Sequence, residues 1–217
     1  MRRAAICACA LAILSGGAGR AAAQDAPKPI GRFVVDVRGT IPRFPSSNDA
    51  LAASRGVQTT ELPGSGFGID LGAHLYLFKW KAVTFGAGGQ LTLGRSHSSA
   101  GSTADGFARR AVTEHFRAIA PQLSLNFGSA AGWSYLSGGV GPGVWSLVPD
   151  GNAALASDDE RLTVYNYGGG ARWFAKEHLA FTFDVRFWDI YAGTPLFGYP
   201  ASPRVKMLVL GAGISLK

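Results

Sequence analysis

Cysteine is absent beyond residue 9: the chain holds only Cys7 and Cys9, both inside its first apolar run. Once that segment is removed, no disulfide, thiol catalysis or cysteine-based zinc site is available. Long apolar runs are also missing. The stretch Ala4 to Leu14 is too short for a membrane helix, which takes about 20 apolar residues. The four histidines, His74, His97, His115 and His178, show no metal-ligand spacing. No glycine-rich run stands between a strand pattern and a helical pattern, as a phosphate-cradling loop requires. Basic excess is small as well. The formal charge of +7 falls to about +4 when Arg2, Arg3 and Arg20 leave with the leader, which makes no case for nucleic acid. These gaps argue against nucleotide chemistry and bound cofactors or metals.

What is present begins with residues 1–24, "MRRAAICACALAILSGGAGRAAAQ": two arginines, a short apolar core and the small residues Ala21, Ala22 and Ala23. This is the layout of a cleaved secretory signal peptide. Residues 25–217 then form a single domain, with cleavage expected after about Ala23.

The dominant pattern of that domain is alternation. In "LAFTFDVRFW", Leu179, Phe181, Phe183, Val185 and Phe187 fall on one face, and Ala180, Thr182, Asp184, Arg186 and Trp188 on the other. Period two is the mark of a β-strand with two different faces. Eight such segments are predicted, at 31–44, 65–78, 82–94, 114–127, 133–147, 162–174, 179–188 and 204–217. The fifth is the least regular, and its faces stay unassigned. Four long polar connections interleave with three short turns, "KWKA", "GSAAG" and "AKEH". Short turns at one end, long loops at the other and an even strand count predict an all-β, eight-stranded antiparallel up-and-down transmembrane barrel. Trp80, Trp133 and Trp173 lie by the short turns and Trp145 and Trp188 by the long loops, as two aromatic girdles would place them.

On that reading the large apolar residues face lipid. Asp36, Arg38, Asp70, Arg172, Asp184 and Arg186 point inward as a balanced lumen charge network, with Arg172 diagonal to Asp184. Eight strands leave an interior just wide enough for side chains to fill. Glycines at 86, 88, 168 and 170 leave room for the arginines.

The eight amphipathic strands, the glycine-aromatic cores "GGVGPG" and "GGGARWF" and the terminal "LVLGAGISLK" together resemble the small outer-membrane β-barrel proteins of Gram-negative bacteria, the OmpA-like transmembrane domain and OmpX-like group, also called the porin family. The resemblance implies an outer-membrane location, partners in outer-membrane lipid, lipopolysaccharide and the barrel assembly machinery, and a monomer without cofactor or nucleic acid. Members usually end in an aromatic residue, whereas this chain ends Leu216-Lys217. No peptidoglycan-binding domain is expected after the barrel.

The leading function is therefore a non-enzymatic barrel with a structural, surface-interaction or adhesion-type role. Arg95, Arg109, Arg110 and Arg117 are candidate lipopolysaccharide contacts, since guanidinium groups pair bidentately with phosphate. A small channel with a narrow lumen is one alternative. A second is a lipid A-modifying enzyme: "RSHSSA" sets His97 beside Ser96, Ser98 and Ser99, and "TEHF" sets Glu114 beside His115. Against it, this stretch reads as a solvated loop. A soluble barrel holding an apolar ligand would invert the faces.

Overall fold

The computed structural model describes residues 28–217 except 103–105 and 107. The leader, its cleavage site and the start of the domain at residue 25 lie outside the described residues. Eight long strands close into a barrel: β1 (Phe33–Arg43), β2 (Phe67–Trp80), β3 (Val83–Ser98), β6 (Val112–Ser129), β7 (Gly132–Pro149), β8 (Leu162–Phe174), β9 (Leu179–Ile190) and β10 (Val205–Leu216). Each pairs antiparallel with its neighbours in this order, and β10 closes on β1. Two short strands, β4 (Gly101–Ser102) and β5 (Ala108–Arg109), form a separate two-stranded ladder above β3 and β6.

The pleat turns the sequence alternation into an inside and an outside. On β1, buried Val34, Asp36, Arg38 and Thr40 alternate with exposed Phe33, Val35, Val37 and Ile41. Around the wall the exposed residues are almost all large and apolar, including Leu71, Leu123, Leu136, Phe181 and Ile214. A register shift between Tyr76 and Phe78 breaks the alternation of β2 once. The extra residue turns Leu77, Phe78 and then Trp80 outward together.

Several strands run further than expected, β3 and β6 among them. Ser96, His97 and Ser98 pair with Glu114, Thr113 and Val112, so the first four residues of the Ser-rich "RSHSSA" are strand, and only Ser99 and Ala100 lie beyond it. Ladder pairing with β6 overrides composition there, as strand preference depends on context. The first long loop also contains structure that alternation did not signal. Helix α1 (Asp49–Ser54) is capped by Asn48, whose Oδ1 accepts the Leu51 amide at 3.0 Å, and a 3-10 turn follows at Thr59–Glu61.

Candidate functional site

The interior has two storeys. Near the short turns and at mid-height it is polar. Arg172 Nε and Nη2 donate to Asp36 Oδ1 and Oδ2 at 2.9 and 2.6 Å, a bidentate pair from β8 to β1. Ser215 Oγ donates to the same carboxylate at 2.5 Å, and Arg38 Nη1 lies 3.4 Å from it. Arg38 Nη2 is 3.8 Å from Asp70, which also accepts from Gln90 Nε2 at 2.6 Å and from Thr92 Oγ1. Arg186 holds Asp184 bidentately at 3.0 Å and reaches Asn166 and Ser137 at 3.1 and 2.8 Å. All six charges are at most 2% exposed.

Arg172 thus reaches Asp36 and not the diagonal Asp184 expected from the hairpin. Closure of β10 on β1 brings Asp36 across the narrow lumen, a proximity invisible to a two-strand argument. Asp184 is satisfied by Arg186 two residues along its own strand. Tyr135 joins the two halves: its hydroxyl accepts from Arg38 Nη1 at 3.2 Å and donates to Asp184 Oδ2 at 2.7 Å. The Arg172 guanidinium lies 4.0 Å from its ring centroid. Sequence reasoning missed Tyr135 because β7 is too rich in glycine and serine to show its faces.

Toward the loops the interior turns apolar. Phe116, Trp145, Leu147, Leu162, Val164, Trp188, Ile190, Met207 and Val209 form one buried cluster, which Phe44, Leu51, Ala52, Val57 and Leu62 of the first loop cover. Three tryptophans expected on the girdles are therefore interior: Trp133, Trp145 and Trp188 are 3, 2 and 0% exposed. Trp188 follows outward Phe187 and must point in. Trp145 fills the upper core and donates from Nε1 to Glu114 Oε1 at 2.7 Å. Trp133 stacks on Phe174 over the floor at a centroid distance of 5.0 Å. Only Trp80 and Trp173, 61 and 60% exposed, stand on the outer surface, and both are at the short-turn end.

The first loop is clamped in place. Arg55 Nε donates to buried Asp158 at 3.0 Å, and Arg55 Nη2 donates to the Ser157 carbonyl at 3.2 Å. Asp158 also accepts the amides of Leu147 and Leu155, both at 2.8 Å. On the other side, Glu61 accepts the Arg110 amide at 2.8 Å, its Nε at 3.0 Å and its Nη2 at 2.8 Å. Those hydrogen bonds lower the Glu61 carboxyl to about 2.

The candidate lipopolysaccharide contacts divide accordingly. Arg95 and Arg117 project outward from adjacent strands, Arg110 is engaged with Glu61, and Arg109 sits on the small β4–β5 ladder. The residues of the enzyme alternative do not converge. Ser96 and Ser98 donate to the carbonyls of Ser65 and Glu61, exposed His97 lies 3.1 Å from Thr113 Oγ1, and Glu114 is enclosed with Trp145. Among the described residues, no group of three or more histidine, cysteine, aspartate or glutamate side chains could hold a metal.

A closed eight-stranded antiparallel barrel, apolar outside and ion-paired within, is the architecture of the small outer-membrane barrel proteins. Among solved structures the chain is similar to Neisserial surface protein A, at 13% identity over 85% of this chain and 96% of that one, with a TM-score of 0.50. It is also similar to the outer membrane protein OprG from Pseudomonas aeruginosa, at 12% identity over 88% and 98%, with a TM-score of 0.48. A third is Ail, the attachment invasion locus protein of Yersinia pestis, at 13% identity over 86% and 99%, with a TM-score of 0.47. No protein-family model matches the chain, and neither does any curated protein. At such identities the likeness concerns the fold.

Proposed function

We propose that the processed chain is a monomeric, non-enzymatic integral protein of a Gram-negative outer membrane. The leader exports it, the barrel assembly machinery inserts it, and it acts as a closed structural or surface-interaction element. One observation carries this reading: a wall of exposed apolar residues encloses a lumen filled by bidentate ion pairs and tryptophans. Such a wall is costly in water and favourable in lipid. The filled lumen favours a closed barrel over the channel alternative, and an apolar ligand would find its space taken by Phe116, Trp145 and Trp188. The clamped loops are then the contact surface, and the exposed Arg95 and Arg117 are the residues that pair with lipopolysaccharide phosphate on this reading.

Two measurements on the outer-membrane fraction test this. Unboiled protein is expected to migrate differently from boiled protein in SDS, and the purified barrel to add no steady conductance to a planar bilayer. Recovery in the soluble periplasm without a mobility shift would sink the membrane reading. Ion currents from a correctly folded barrel would replace the closed form with the channel.

A further inference from the structure

The basic excess is not spread over the molecule. Lys28, Arg32, Lys79, Lys81, Lys176 and Lys217 lie at the short-turn end, and Glu177 is the only acidic residue with them among the described residues. The loop end holds nine basic and eight acidic described residues, several of them paired, as in Arg55 with Asp158, Arg110 with Glu61 and Arg204 with Asp189. The lumen contributes three of each sign. Almost all of the net positive charge therefore stands at one end.

That end is also built like a membrane interface. The two outward tryptophans, Trp80 and Trp173, are both there, and the Lys81 Nζ lies 5.3 Å from the Trp80 ring centroid. Amphipathic indole rings settle at headgroup depth, which sets Lys79, Lys81 and Lys176 level with lipid phosphates. The floor beside them is a fixed surface. The Ala130 amide donates to the Lys28 carbonyl at 2.9 Å, and Lys217 Nζ donates to the Ala130 carbonyl at 2.5 Å. Against it opens a recess of about 1240 Å³ whose lining includes Lys28, Arg32, Lys176, His178 and Lys217.

We infer that the short-turn end is a binding surface for the headgroups of anionic phospholipids, which gather around Trp80 and Trp173 with their phosphates on Arg32, Lys79, Lys81 and Lys176. Charge complementarity selects the occupant. Basic residues beside a bilayer attract anionic lipid at about 1 kcal/mol each, up to about fivefold in local enrichment per engaged residue. The inference rests on the membrane reading above.

Lipid-disc reconstitution tests it. The protein is placed in phosphatidylcholine discs containing equal shares of brominated phosphatidylglycerol or brominated phosphatidylcholine, and tryptophan quenching is compared. Trp133, Trp145 and Trp188 are interior, so quenching reports Trp80 and Trp173. The glycerol lipid is expected to quench at a several-fold lower share. High salt and the triple variant Lys79→Gln, Lys81→Gln, Lys176→Gln should each remove that advantage, while Arg95→Gln with Arg117→Gln at the loop end should keep it. Equal quenching by the two lipids in a heat-modifiable, disc-embedded barrel overturns the inference and leaves the membrane reading standing. So does a preference that survives both the salt and the triple variant. Failure to enter discs at all overturns both.

Discussion

At the scale of single residues the energetics rest on buried charge. Asp36 and Arg172 are at most 1% exposed and held bidentately. Removing one partner of such a pair strands the other where water cannot reach it, at a cost of about 3–5 kcal/mol. Arg172→Ala should fall near the lower end, because Ser215 and Arg38 still serve Asp36. Urea unfolding of the refolded barrel, followed by SDS mobility, checks the size, and a cycle with Asp36→Ala should show strong coupling. Glu61 makes a pH prediction. Its folded pKa of about 2 lies below the ordinary 4.5, so its contribution is complete above about pH 4.5 and disappears as pH falls toward 2. Protease cleavage of the first loop should rise across that window, and Glu61→Gln should be readily cleaved at neutral pH and lose most of the dependence.

At the scale of elements the seam between β6 and β7 stands out. Its ladder runs from Val112 to Ala118 and resumes at Gln122, skipping the stretch that contains Pro121 and Pro142, residues with no amide hydrogen to donate. Glycine keeps the strands close there. A Cβ on Gly139 would stand 1.9 Å from the Pro121 carbonyl oxygen, whereas one on Gly89 would meet nothing nearer than the Ala120 carbonyl oxygen at 3.6 Å. Gly139→Ala should therefore sharply lower the yield of heat-modifiable barrel in a refolding assay, and Gly89→Ala should leave it nearly unchanged. Alternation made the other strands legible, since one apolar and one polar face follow directly from the pleat. It failed on β7, where Gly138, Gly139, Gly141 and Gly143 carry no side chain to read. It was ambiguous at the start of β10, where Val205, Met207 and Val209 face in while Leu208 and Leu210 face out.

At the scale of the whole molecule three successive layers occupy the lumen: the floor around Trp133 and Phe174, the ion pairs, and the apolar core under α1. In the closed form proposed above, the seal is not the work of the first loop alone. Combining Arg55→Ala with Glu61→Ala should free that loop, seen as faster amide exchange over residues 46–64, and still leave the barrel non-conducting in planar bilayers. Conductance on releasing the loop would mean that the layers beneath it do not seal. The same separation suits an interaction role, because loop contacts can change without disturbing the layers that hold the wall together.

The sequence by itself determined the number of barrel strands, their antiparallel order with short turns at one end, and the inward direction of the six lumen charges. Each of these follows from local periodicity and connection length. Only the tertiary structure decided which charges pair, that Tyr135 links them, that Trp133, Trp145 and Trp188 fill the interior, and that Glu61 and Arg55 clamp the first loop over it. Those outcomes depend on barrel closure and on contacts between distant segments, such as Ser215 with Asp36, 179 residues apart, which no local pattern encodes.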